Sequence, residues 1–252
     1  RAVSDTISFT QTAGIATLAF NNPQRRNALG AAELDAIESG LSSLDENARA
    51  LLITSSDDRV FCAGADLTQI LDGSLSGDRF QSVTNKIAAL PIPSIATLSG
   101  NVFGGGAELA LSCDFRLARE DIVLRIPAAA IGLCYPVEGI ERITRRLGPS
   151  MARRLLVATE TFSAEQMLAL GIVDAVYPTD SLHAAAQRYA ESLIKLAPMA
   201  VTNMLEIIRQ LEGGNLNREQ ADALAKACSD SADVQEGITA QREKRAPVFQ
   251  NR

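Results

Sequence analysis

Apolar and polar residues alternate with a period of two along TISFTQTAGIATLAF (residues 6–20), and the alternation breaks at Thr12-Ala13-Gly14. Such alternation sends successive side chains to opposite faces, so two strands around a turn are predicted. In LGAAELDAIESGLSSL (29–44) the period changes: Leu34, Ile37, Leu41 and Leu44 fall on one helical face. ALLITSS (50–56) is a continuous apolar run, the pattern of a buried strand. QSVTNKIAALPIP (81–93) predicts a helix stopped by Pro91 and Pro93. SIATLSG (94–100) predicts a further strand, running directly into a glycine-rich turn, and DFRLARED (114–121) and VLRIP (123–127) two more. From Ser163 onward the helical period dominates, and Ser163 with Gln166 forms a capping box for the first helix of that stretch.

Strand and helix patterns thus alternate to about residue 178, the signature of an α/β core, and helices follow. Residues 1–197 are expected to form the core and 198–252 a helical region that packs on a neighbouring element or another subunit. LDGSLSGDRFQ (71–81), where glycine and serine interrupt weak periodicity, is expected to be a mobile loop.

Composition narrows the function classes. The 252 residues carry a net charge of −6, which offers no basic footprint for nucleic acid or an anionic membrane. No apolar run approaches the roughly 18 residues of a membrane span. The opening RAVSDTISFTQ has no apolar segment of the signal-peptide kind, and without an initiator Met the native N-terminus is expected to be trimmed or replaced. Cys62, Cys113, Cys134 and Cys228 are far apart and form no CxxC, which suits reduced thiols in a cytosol. His183 has no second His or Cys at ligand spacing, so no metal site is expected. Nor does it approach Cys62 or Cys134 in sequence, which argues against a cysteine nucleophile.

The candidate chemistry lies in NVFGGGAELALSCD (101–114). Glycines before a helix let a ligand approach the backbone, and the unpaired N–H groups of the first turn sit at the positive end of the helix dipole. A phosphate or a developing oxyanion suits that place. The spacing fits neither GxGxxG, because Leu109 stands where the last glycine belongs, nor a Walker loop, because GKS and GKT are absent. A ligand-free tight turn is the plain alternative. RVFCAGADL (59–67) is a second glycine turn after an apolar strand, and two such turns can aim two N–H groups at one carbonyl oxygen.

FCAGADL, SGNVFGGGAELALSCDFRLA, GIERITRRLG and FSAEQMLALGIVDAVYP, in this order and spacing, resemble the crotonase family of enoyl-CoA hydratases and isomerases, as does NNPQRRNAL at residues 21–29. The resemblance covers essentially the whole chain. It implies an α/β fold, a spiral of ββα turns with C-terminal helices that build trimers or pairs of trimers. It implies an acyl-CoA substrate that brings coenzyme A with it, with no metal or redox cofactor. The backbone N–H groups that polarise the thioester carbonyl fall by resemblance on Ala65 and Gly105. Glu108 matches the first of two hydratase glutamates and is assigned acid/base work; read on its own, it is an acid favoured in a helix's first turn.

The second glutamate position is Ala128, in PAAAIG where hydratases have PExxxG, which speaks against ordinary hydration. In the loop that follows, Tyr135 falls where a methylmalonyl-CoA decarboxylase-like relative also has tyrosine, and Glu138 stands where glycine is usual. Both are candidate catalytic residues, with a pocket-lining aromatic and a solvated helix charge as the plain alternatives. CoA binding is implied at Arg25, Arg26, Ala63, Asp66 and Leu67. Lys244 and Arg245 resemble a basic terminus that reaches a neighbour's CoA, and are otherwise surface charges. Three functions follow: a hydratase-type enzyme, an isomerase or malonyl-type decarboxylase, and a non-catalytic CoA- or RNA-binding protein.

Overall fold

A computed structural model describes residues 4–251. Arg1–Val3, the first residues of the expected core, and Arg252 lie outside the described residues. Among the described residues ten strands and ten α-helices are interspersed: β1 (Ile7–Thr12), β2 (Ile15–Phe20), α1 (Ala31–Ser42), β3 (Ala50–Ser55), β4 (Val60–Cys62), α2 (Leu67–Leu71), α3 (Gly77–Ala88), β5 (Ser94–Leu98), β6 (Asn101–Phe103) and α4 (Gly105–Ser112) come first. β7 (Phe115–Arg119), β8 (Val123–Arg125), α5 (Val137–Ala152), β9 (Phe162–Ser163), α6 (Ala164–Ala169) and β10 (Ala175–Tyr177) follow. α7 (Leu182–Leu193), α8 (Pro198–Glu212), α9 (Arg218–Ser229) and α10 (Ala232–Glu243) end the chain.

The strands form two sheets. Six lie in the order β1-β2-β3-β5-β7-β10 and four in the order β4-β6-β8-β9. β3, β5 and β7 run parallel in the first sheet, and each is followed within a few residues by a short partner (β4, β6, β8) in the second. The chain therefore steps from one sheet to the other and returns through a helix, the ββα spiral. Period two sorts the apolar residues of β3 between two cores. Leu51 and Ile53 face the cluster under α1, α3 and α4, while Ala50 and Leu52 face Leu182, Ala186 and Ala190 of α7. A strand covered on both faces reads as a continuous apolar run, which is why ALLITS shows no alternation.

Two expectations are corrected. The glycine turns do not follow the long strands directly: β4 precedes AGADL and β6 precedes the glycine triplet. Three residues are too few for a period-two signal. The mobile loop expected over 71–81 is cut short by α3, which begins at Gly77 with the Ser76 hydroxyl accepting from Arg79 N–H. Phe80, Val83 and Ile87 of α3 are buried on one face, and that burial outweighs a glycine at a helix end whose N–H is unpaired in any case.

The last helices are tied to the core by arginines. Arg209 of α8 donates to the Leu90 carbonyl and sits 3.2 Å from Asp114 Oδ1, and Arg146 of α5 lies 3.7 Å from Glu212. Met204, Ile208 and Leu211 form an exposed stripe on α8. No helix among the described residues is long and apolar enough to cross a membrane.

Candidate active site

Each of the three consecutive glycines has its own reason. Gly104 takes a φ of +51°, rare for a residue with a side chain. A Cβ on Gly105 would lie 2.6 Å from Cζ of Phe80, and one on Gly106 2.4 Å from the Cys62 carbonyl oxygen. The other turn meets this one edge to edge: Gly64 has φ +90°, and a Cβ there would lie 2.5 Å from the Gly105 nitrogen. The two backbones thus touch, and glycine at both is what allows it.

The AGADL turn is clamped from behind. Ala63 N–H donates to the Arg26 carbonyl at 3.0 Å, Leu29 N–H to Gly64 at 2.8 Å, and Asp66 N–H to Leu29 at 2.9 Å. Those bonds leave the Ala65 N–H free of any protein acceptor among the described residues, and the Gly105 N–H, at the first position of α4, is free as well. Buried Asn27 anchors the clamping loop, its amide donating to Ser55 Oγ and to the Val60 and Phe61 carbonyls.

Ala65 and Gly105 line a cavity of about 120 Å³ together with Ala63, Leu67, Phe80, Gln81, Glu108, Ala128, Tyr135 and Pro136. Its remaining walls are mostly apolar, including Leu75, Ile131 and Leu133. Glu108, the one carboxylate in the lining, is fully buried on α4. Tyr135 Oη donates to its Oε2 at 2.7 Å, Gln81 Nε2 to the same oxygen at 3.0 Å, and Thr84 Oγ1 to Oε1 at 3.3 Å. Arg142 Nε stands 3.7 Å from Oε1. Burial, then the charge of Glu108, pushes the Tyr135 phenol well above its ordinary value, so Tyr135 is a protonated donor at neutral pH. The Gln81 amide oxygen, turned away from Glu108 by that donation, is buried without a partner.

Not every expected residue comes to this pocket. Glu138, expected as a second carboxylate beside Glu108, is corrected to a different cleft. It is exposed on the first turn of α5, accepts from Asn85 Nδ2 at 2.6 Å, and lines a 610 Å³ cleft between α3, α5 and α8. The helix turn explains this: Pro136, preceding α5, lines the acyl-sized pocket, and two residues on, the side chain points elsewhere. Ala128 does line the pocket at the expected place. Arg25 is exposed and paired with Asp66 at 2.5 Å, while Asp66 caps α2 by accepting from Thr68 N–H. Arg26 is exposed in the left-handed conformation. Arg245 is paired with Glu236 and Glu243 of its own chain. His183 is exposed on α7. Cys62 lies buried beneath the turns, where burial pushes its thiol up to about 12, far from a thiolate at neutral pH.

Gln81, Thr84 and Arg142 were not singled out from the sequence. A signal existed: Gln81 and Thr84 are polar residues on the buried face of α3, beside Phe80 and Val83, where an apolar residue is the rule. Among the described residues no group of three or more His, Cys, Asp or Glu is arranged to hold a metal ion.

Residues 10–252 match the profile of the Enoyl-CoA hydratase/isomerase family. The chain belongs to that family. The enoyl-CoA hydratase domain-containing protein 2, mitochondrial, of Mus musculus is 34% identical over 249 residues, covering 94% of this chain and 84% of the relative. The 2,3-dehydroadipyl-CoA hydratase of Escherichia coli K12 is 29% identical over 244 residues, covering 93% and 94%. An enoyl-CoA hydratase from Bacillus anthracis superposes with a TM-score of 0.89 at 27% identity, covering 98% of this chain and 100% of that one. The two-sheet spiral is therefore the enoyl-CoA hydratase/isomerase fold, and family membership makes the chain an enzyme of the lyase or isomerase kind. The mouse relative is named as mitochondrial, so the comparison lends no support to the cytosolic expectation.

Proposed function

We propose that this enzyme transforms a short-chain acyl-CoA through a thioester enolate, by moving one proton rather than by adding water. The observation that carries the reading is the composition of the 120 Å³ pocket: two free backbone N–H groups, one carboxylate, and alanine where a second carboxylate would stand. The N–H groups of Ala65 and Gly105 take the thioester oxygen as charge develops on it, which favours the transition state over the ground state. Glu108 accepts the proton from the acyl carbon and returns it to another, with Tyr135 as a donor at its Oε2. Hydration needs a second group to activate and position the water, and Ala128 supplies none. Migration of a double bond needs only one base that reaches both carbons.

Coenzyme A enters as part of the substrate, held at Ala63, Asp66 and Leu67 with Arg25 and Arg26 toward its phosphates; no other cofactor is required. A malonyl-type decarboxylation is the second reading. It is favoured by the pocket's lack of Lys, Arg or His among its lining residues, since apolar walls destabilise a substrate carboxylate and leave the enolate to the N–H pair. The exposed Met204, Ile208 and Leu211 stripe supports assembly into trimers through residues 198–252. The four free thiols support a cytosolic home. The net charge of −6 gives no support to RNA binding.

The test compares crotonyl-CoA, but-3-enoyl-CoA and malonyl-CoA as substrates, followed by ultraviolet absorbance and product chromatography. Conversion of but-3-enoyl-CoA to crotonyl-CoA, abolished in Glu108→Gln and at least tenfold faster than loss of crotonyl-CoA, is expected. Rapid hydration of crotonyl-CoA by the wild type would overturn the one-base reading, and carbon dioxide release from malonyl-CoA would replace it with the second.

A further inference from the structure

Glu138 is outside the pocket, yet it is linked to Glu108. Its Oε2 accepts from Asn85 Nδ2 at 2.6 Å. The Oδ1 of the same amide accepts from Arg142 Nη2, so Asn85 is held at both ends. Arg142 is only 13% exposed and runs inward from the 610 Å³ cleft to stand 3.7 Å from Glu108 Oε1. That Nε is buried and makes no hydrogen bond of its own. A guanidinium is committed here to a carboxylate without being satisfied by it. Something else must fix its position, and the carbonyl of Asn85, braced by Glu138, does so.

We propose that Glu138, Asn85 and Arg142 form a positioning chain that keeps a positive charge behind Glu108 and fixes the place of its carboxylate for acid/base work. The inference rests on the reading of Glu108 as the acid/base group. It assigns Glu138 a role in the site through two intermediates rather than in contact with the substrate. Among the described residues that face Glu108, α3 contributes Gln81 and Thr84, the segment before α5 contributes Tyr135, and α5 contributes the cation Arg142; the buried Cys62 thiol is neutral. Arg146 stands behind Arg142 on the same helix and repels it, which makes the Asn85 tether more necessary. Burial lowers the Arg142 value and the charge of Glu108 opposes that; a guanidinium so placed stays charged at neutral pH.

The experiment reads the Glu108 carboxyl directly. The carbon-13 resonance of its labelled carboxyl is identified by its loss in Glu108→Gln, and its titration midpoint is followed in the full-length protein without substrate. A neighbouring cation favours the anionic form, so its removal moves the midpoint upward. Arg142→Gln is expected to raise the midpoint. Asn85→Ala and Glu138→Ala, both at exposed positions, are expected to raise it by less, in that order. Arg142→Lys is expected to restore part of the shift. An unmoved midpoint in folded Arg142→Gln overturns the chain, and an unmoved midpoint in both Asn85→Ala and Glu138→Ala overturns the tether even if Arg142 matters. Circular dichroism of each variant separates unfolding from a true absence of effect. Turnover of acyl-CoA by the wild type is measured in parallel: its failure counts against the proposed reaction, while the carboxyl titration still tests the positioning chain on its own. With turnover, the acid limb of the kcat/KM profile follows the midpoint, and KM for acyl-CoA stays within twofold, because Arg142 does not line the pocket.

Discussion

Gly139 on the first turn of α5 offers the sharpest test of the Tyr135–Glu108 pair. A Cβ at this position would lie 2.4 Å from Tyr135 Cε1, 2.8 Å from its Cδ1 and 2.9 Å from Glu108 Oε2, where ordinary contact begins at 3.4 Å. In Gly139→Ala the ring edge must therefore withdraw by 3.4 − 2.4 = 1.0 Å. The hydroxyl bond to Glu108, 2.7 Å long, is stretched beyond hydrogen-bonding range by a shift of that size. A hydrogen bond to a charged group contributes about 1.5–3 kcal/mol. Against this, alanine is preferred to glycine within a helix by about 1 kcal/mol. The net stability change is then a loss of roughly 0.5–2 kcal/mol, read as a small drop in the urea midpoint. Activity has no such compensation: kcat is expected to fall by about tenfold to a hundredfold, each tenfold being 1.36 kcal/mol. The decisive arm is the cycle with Tyr135→Phe. If Gly139→Ala acts by displacing the hydroxyl, adding it to Tyr135→Phe costs less than about twofold more. Full and independent effects of the two substitutions would refute the steric argument, and so would a wild-type kcat in Gly139→Ala.

The remaining expectations touch the turns, the missing carboxylate and the surface charge. Gly64→Ala must strain a φ of +90° and drive a Cβ to 2.5 Å from the Gly105 nitrogen, so kcat is expected to fall about 10²–10³-fold, the loss seen when one oxyanion donor is misplaced; unchanged kinetics would deny the turn pair its role. Ala128→Glu puts a second carboxyl in the pocket and is expected to raise crotonyl-CoA hydration by tenfold or more, at a cost to stability of about 1–3 kcal/mol for the buried polar group. Glu38 of α1, held down to about 2 chiefly by hydrogen bonds from Arg79 and then Lys86 of α3, stabilises the α1–α3 contact above its ordinary value of 4.5. Its folded value is the lower one, so that stability is lost as pH falls from 4.5 toward 2. The Tm gap between wild type and Glu38→Gln should be open at pH 7 and close over that window; a gap independent of pH would point to packing instead.

Local pattern and motif by themselves determined much of this protein. The hairpin, the buried runs of β3 and β5, α1 and the helical last third are each written in a period that one element can satisfy alone. The two glycine turns and Glu108 were legible too, because a strand, a glycine turn and a helix announce a backbone that approaches something. What tertiary structure decided is everything that depends on two distant segments meeting. β4 and β6 are three residues each, and only pairing in the second sheet makes them strands. The need for glycine at 105 and 106 comes from the Phe80 ring and the Cys62 carbonyl, 25 or more residues away in the chain. The family resemblance made Glu138 a candidate second carboxylate, with a solvated helix charge as the alternative. Glu138, on the first turn of α5, opens into another cleft, and Arg142, on the same face about one helical turn later, runs in against Glu108. A sequence specifies which side chains share a helix face, but where that helix meets the pocket is set by packing against α3 and α4, and that placement decides which of them comes up against Glu108.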